Sequence, residues 1–194
     1  MTKGPLIILS GPSGSGKSTV LGRVLASKDL PVRLSVSATT RPPRRGEIDG
    51  THYHFWPKER FLKEVEAGAF LEWADVYGNY YGTLRSEVEP YRAQGSAVIL
   101  EIDVQGAEQV RRQCPDAVTM FLSTSSLGAY EERLRLRGTE DEAAIQRRLA
   151  AARRELDRAH EYDYRITNDN LDGAVEQLRA TVRSLLQAKR GNHA

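Results

Sequence analysis

The chain carries a single cysteine, Cys114, so it can form no internal disulfide and offers no thiolate cluster to a metal. Long apolar runs are equally scarce. Stretches such as Leu6 to Leu9 and Ala97 to Leu100 fall far short of the roughly 20 residues a membrane helix needs. Strong charge of one sign is missing too, since the net charge is +2, which provides no basic track for nucleic acid. There are no repeats, no low-complexity tracts and no linker-like segment. Met1-Thr2-Lys3-Gly4 leads straight into an apolar stretch without a secretory pattern, so cytoplasm is the expected compartment. What is present is ordinary for a folded domain: 40% hydrophobic and 28% charged residues in a chain of 194, enough for one core with small inserted lobes.

Leu6 to Leu9 is a short continuous apolar run, the pattern of a strand buried on both faces. Ala97 to Leu100, ending in Glu101-Ile102-Asp103, and Ala117 to Leu122 read the same way, with Leu34 to Val36 and Arg165 to Thr167 as shorter candidates. Helical patterns lie between them, at Lys17 to Ser27, around Val110, at Leu127 to Arg137 and at Leu171 to Leu186. Alternating strand and helix predicts an α/β fold: three layers around a central parallel sheet. The segment from about Thr40 to Gly95 differs. Two aromatic-rich runs, His52 to Trp56 and Phe70 to Tyr77, flank a helix at about Lys58 to Ala67 that Gly68 would end. This predicts an inserted small mixed α/β lobe with antiparallel pairing. A second excursion begins at Arg137-Gly138, where Thr139 and Glu142 form a capping box and Ile145, Leu149, Ala152 and Leu156 share one stripe. The expected division is a core at about 4–34, 96–126 and 160–190, a lobe at about 35–95 and a helical lid at about 127–159.

Gly11-Pro12-Ser13-Gly14-Ser15-Gly16-Lys17-Ser18 satisfies G-x-x-x-x-G-K-[ST] in full, after a buried strand and before a helix. Glycines let successive backbone N–H groups turn inward toward phosphate oxygens, and the helix beginning at Lys17 adds its positive end. Lys17 would reach the β and γ phosphates, the Ser18 hydroxyl would ligate Mg²⁺, and Thr19 would join the loop in binding ATP. The loop establishes nucleoside triphosphate binding and leaves the acceptor open.

Ser37-Ala38-Thr39-Thr40-Arg41-Pro42-Pro43-Arg44-Arg45-Gly46-Glu47-Ile48-Asp49-Gly50, with Tyr53 and Phe55, resembles the signature of the guanylate kinase family. So do Phe70-Leu71-Glu72-Trp73, Gly78 to Thr83, Glu101 to Gly106, Arg137-Gly138-Thr139 and Asn168-Asp169. The likeness runs from roughly Leu6 to Leu186. It implies a transfer of the γ-phosphoryl group from ATP to GMP, with large closing motions of the lobe and lid. It also implies that Ser37, Arg41, Arg44, Glu47, Tyr53, Glu72, Tyr81, Thr83 and Asp103 surround GMP and that Asn168 and Asp169 lie near the adenine.

The residue types suit those roles. Arg41 and Arg44 straddle two prolines, and guanidinium forks engage two phosphate oxygens at once, with Tyr53 and Tyr81 as hydroxyl donors. A solvated surface loop is the plain alternative. Guanine presents N1–H and N2–H₂ side by side, which one carboxylate, Glu72, could accept together while Ser37 and Thr83 meet O6. Adenine would leave that carboxylate badly paired, a mismatch that can cost about 10⁴-fold in selectivity. Alternation alone leaves Glu72 equally readable as an exposed carboxylate on an edge strand. Asp103 either serves the metal and acceptor phosphate or caps the following helix. Glu101 stands where some family members carry Asp, a difference treated as minor. Lys17, Arg41, Arg137 and Arg148 are the expected catalytic cations, Arg133 and Arg135 weaker ones, and a solvated helix face is the alternative for the lid arginines. ATP and GMP are the expected small-molecule partners, Mg²⁺ the cofactor, and either monomer or homodimer is open. Rival readings are a non-catalytic guanylate kinase-like binding module, a sugar-phosphate kinase and a nucleic-acid-stimulated ATPase.

Overall fold

A computed structural model describes residues 3–76, 78–136 and 142–191. Tyr77, Arg137 and Thr139, and with Thr139 the expected capping box, lie outside the described residues. The chain runs β1 (Leu6–Ser10), α1 (Lys17–Ala26), β2 (Val32–Leu34), β3 (Ala38–Thr39), β4 (His54–Phe55), α2 (Lys58–Glu66), β5 (Phe70–Val76) and β6 (Asn79–Leu84). It continues through α3 (Glu89–Ala93), β7 (Ala97–Glu101), α4 (Val104–Gln113), β8 (Val118–Ser123), α5 (Leu127–Leu136), α6 (Glu142–Asp157), β9 (Tyr164–Thr167) and α7 (Leu171–Gly191).

The central sheet has the order β2-β7-β1-β8-β9 and every pair in it is parallel. Both its faces are covered, which is why β1 and β7 are apolar without alternation. Ile7, Leu9, Ile99 and Leu122 pack with Val20, Leu21 and Val24 of α1 and with Leu178 and Val182 of α7. Leu6, Ile8, Val98, Leu100 and Phe121 pack on the other side with Ala107 and Val110 of α4. The three-layer α/β expectation holds. The strand expected at Leu34 to Val36 begins earlier, because Val32 to Leu34 pair with Ala97 to Ile99, and the last bond is Ser35 N–H to the Ile99 carbonyl at 2.9 Å.

The inserted segment forms a second sheet, β4-β3-β6-β5. Its pairing is mixed rather than purely antiparallel: β3–β6 and β5–β6 are antiparallel, whereas β3–β4 is parallel because the long connection between them returns the chain in the same direction. β4 is only His54–Phe55, since β3 offers just Ala38 and Thr39 as partners. Phe61 of α2 fills the middle of this lobe, stacked on Phe70 at 4.5 Å and Tyr80 at 5.6 Å between ring centroids. In register, Leu9 lies opposite Glu101, so the ends of β1 and β7 stand together at the carboxyl edge of the parallel sheet. That edge is where open α/β sheets bind ligands.

Candidate active site

The loop after β1 is built to leave donors exposed. Gly16, the residue before α1, has φ +92, and a Cβ there would strike the Asn168 amide. No side chain caps α1 and no acidic residue occupies its first turn, so its leading N–H groups are left for an external acceptor. Lys17 Nζ donates to the carbonyls of Gly11 at 2.5 Å and Pro12 at 3.3 Å, folded back along the loop. Asn168 is buried and its Nδ2 donates to the Ser15 carbonyl at 2.8 Å. Arg133 of α5 donates to the Ser15 carbonyl at 3.3 Å and to that of Asn168 at 2.8 Å. Asn168 and Arg133 thus brace the loop from outside. Asp169 accepts from Ser125 N–H at 2.9 Å, and that bond holds its carboxyl below the ordinary value.

From α6, Arg148 Nη1 donates to Ser13 Oγ at 2.9 Å, which lays the helix over the phosphate loop. Arg135 instead grips Glu131 and Glu142 on the exposed side of α5 and α6. Glu155, on the same helix as Arg148, was not distinguishable in the sequence from the many acids of that segment. Burial raises its pKa; the Lys17 charge opposes the rise and the Asp103 charge adds to it.

The structure also singles out Glu101, which sequence reasoning passed over. Its Oε1 accepts the Ser18 hydroxyl at 2.9 Å across the β1–β7 junction. The available signal was an acid ending a buried strand that neighbours the loop strand. Asp103, by contrast, spends Oδ1 on the N–H groups of Gln105 at 3.0 Å and Gly106 at 2.8 Å, capping α4 as the plainer reading held. A hydroxyl and a carboxylate beside the phosphate loop make a hard oxygen pair of the kind Mg²⁺ shares with nucleotide phosphates.

A pocket of about 190 Å³ opens beside these strand ends, lined among others by Ser37, Tyr53, Glu72, Tyr81, Glu101 and Asp103. Glu72 is 6% exposed and Thr83 1%. The Thr83 hydroxyl donates to Glu72 Oε1 at 2.6 Å. Burial pushes the Glu72 carboxyl up to about 7; the Thr83 hydrogen bond opposes the rise and the Asp103 charge adds to it. The surface-carboxylate alternative for Glu72 therefore fails. Above it, Tyr53 packs edge-on against Tyr81 at 6.0 Å.

Arg41 meets Glu47 through both guanidinium arms, each at 2.9 Å, and Glu47 also accepts from Arg44 N–H at 2.6 Å. Those bonds bring the Glu47 carboxyl down to about 2, the Arg41 fork being the larger cause. Glu47 was expected at the acceptor itself; in this arrangement it holds Arg41, which lies beside Tyr53 of the pocket lining. The Arg41 guanidinium lies 5.5 Å from the Tyr53 ring centroid, within cation–π range. Arg44 is exposed.

With this geometry in view, the likenesses to other proteins are consistent. The family model "Guanylate kinase" matches residues 3–185. The guanylate kinase of Synechococcus sp. (strain JA-3-3Ab) is 51% identical over 92% of this chain and 82% of its own length. That of Carboxydothermus hydrogenoformans is 45% identical over 100% of this chain and 95% of its own. The crystal structure of guanylate kinase from Anaplasma phagocytophilum superposes with a TM-score of 0.77 at 29% identity, covering 94% of this chain and 86% of that one. The chain belongs to the guanylate kinase family.

Proposed function

We propose that this protein transfers the γ-phosphoryl group of ATP to GMP, giving ADP and GDP, as part of purine nucleotide metabolism in the cytoplasm. The observation that carries the reading is Glu72: a carboxylate buried next to the Thr83 hydroxyl, in a pocket beside a complete phosphate loop. A buried acid with one partner has acceptor capacity left over. Guanine offers two adjacent N–H donors for it, and adenine offers none in that arrangement.

In this scheme the open N-terminus of α1 and the loop amides take the ATP phosphates, and Lys17 turns from the Gly11 and Pro12 carbonyls to the β and γ oxygens. Ser18 and Glu101 would hold Mg²⁺, which supplies charge neutralisation between the phosphates. Arg41, kept in place by Glu47, takes the GMP phosphate together with Arg44 and the Tyr53 and Tyr81 hydroxyls. An oxygen of that phosphate attacks the γ phosphorus, and the bond to the ADP oxygen breaks. Arg148, already over Ser13, meets charge on the transferring group, and Arg137 would join it. Protein groups add little covalent chemistry here; alignment and charge do the catalysis.

A coupled assay for ADP release with ATP·Mg²⁺ and GMP, AMP, CMP or UMP in turn tests the reading. Turnover with GMP far above the other three is expected. Absence of turnover with all four would favour a binding module or a kinase for another class of acceptor.

A further inference from the structure

Glu72 is held from behind by one helix. Gln109 of α4 accepts from Trp73 N–H at 3.3 Å and donates to the Trp73 carbonyl at 3.0 Å. One turn later, Gln113 donates to the Leu71 carbonyl at 2.9 Å. The two gripped residues flank Glu72 on β5. As β5 is an edge strand of its sheet, these glutamine amides occupy ladder positions that another strand would otherwise fill. Gly106 stands on the same helix face, three residues before Gln109. It is buried, and a Cβ added there would lie 2.8 Å from Glu72 Oε2 and 3.2 Å from its carboxyl carbon, with Ile102 next at 3.5 Å. Glycine inside a helix is less favourable than alanine. What its presence provides is room for one particular carboxylate.

We propose that Gly106, with Gln109 and Gln113, forms the positioning surface that fixes where the Glu72 carboxylate stands, and so sets selectivity for an acceptor base with two adjacent N–H donors. This rests on Glu72 as the guanine reader. The atom a new Cβ would meet is the free end of a flexible side chain, not backbone. Replacing Gly106 by alanine therefore displaces the carboxylate and leaves the strand in place. Recognition changes while the fold persists, a combination that a merely structural glycine would not give.

The experiment compares wild type, Gly106→Ala, Glu72→Gln and the double variant, reading ADP release with GMP and with IMP (which lacks the N2 amine) alongside Tm. In Gly106→Ala the KM for GMP is expected to rise about tenfold to a hundredfold, with kcat within about twofold and the preference for GMP over IMP narrowed. The KM for ATP stays unchanged and Tm is unchanged or higher. In the Glu72→Gln background the same substitution adds less than about twofold, the non-additivity expected of contacting residues. A wild-type GMP KM and GMP-to-IMP ratio in Gly106→Ala, or equal effects in both backgrounds, would overturn the proposal while leaving Glu72 as reader. A wild-type GMP KM in Glu72→Gln would instead remove the reading beneath it, and with it the proposal. Gln109→Met, which frees the Trp73 backbone, is expected to raise the GMP KM several-fold with kcat retained. Should Gly106→Ala not fold, an unchanged GMP KM in Gln109→Met overturns the inference.

Discussion

Between Gly11 and Ser18 the chain offers phosphate chiefly its own backbone, whereas the pocket proposed for the acceptor is lined by residues drawn from Ser37 to Asp103. The contrast extends to the two helices that begin at the sheet edge. α1 starts uncapped, with glycine at its threshold, and α4 starts with Asp103 bonded to its first free N–H groups. An open helix end accepts any polyphosphate; a closed one serves to hold shape. On the proposed function, chemistry common to many nucleotide enzymes is thus placed in main chain, and the choice of acceptor base in a few buried side chains. Disturbing each region should accordingly produce a different kind of failure.

The largest effect is expected at Lys17. Lys17→Met should lower kcat by about 10³-fold, the scale of losing a charged donor to the transition state, while leaving the relative preference among acceptor bases intact. Steady-state kinetics with GMP and AMP check both halves of that statement. Arg41→Lys comes next. Lysine keeps the charge but loses the fork that Glu47 orients, so the KM for GMP should rise about tenfold to a hundredfold with the KM for ATP unchanged.

A third effect depends on pH and belongs to the acceptor side alone. With its carboxyl at about 7, ligand-free Glu72 keeps a proton through the range below that value. Guanine's donors need the ionised form, so GMP binding should draw the pKa down and release a proton. The KM for GMP should then climb, approaching tenfold per pH unit, as pH falls below about 7. In Glu72→Gln only the phosphate's own titration near about pH 6 should remain. The sign for stability is opposite. A raised carboxyl pKa penalises the charged state, so the ligand-free fold loses stability as pH rises from the ordinary glutamate value of 4.5 through about 7. The smallest effect is expected at Arg135, whose exposed pairs with Glu131 and Glu142 lie away from the loop. Arg135→Ala should leave kcat/KM within about twofold.

The same division decided what could be read from sequence. The phosphate loop is contiguous, and its strand and helix neighbours are set by local pattern, so its place between β1 and α1 was legible outright. The parallel sheet followed from apolar runs long enough to require burial on both faces. The pocket was not legible from periodicity. Alternation puts Glu72 on the face opposite Leu71 and Trp73, yet Leu71 and Glu72 are both buried and Trp73 is 37% exposed. The register shift between Phe70 and Glu72, with α4 packed on β5, is what breaks the alternation. Glu47 and Glu101 show a second limit. A residue's type can suggest a ligand, but whether it touches substrate or holds another residue depends on which partners the fold brings to it, Arg41 for Glu47 and Ser18 for Glu101.

The most direct test of the account compares kcat/KM for GMP and AMP in wild type and Glu72→Gln under the same conditions. Wild type is expected to prefer GMP by about 10⁴-fold or more, and the variant to lose most of that preference while still folding and binding ATP. An undiminished preference for GMP in Glu72→Gln would contradict the central claim, because base selection would then reside somewhere other than the buried carboxylate of β5.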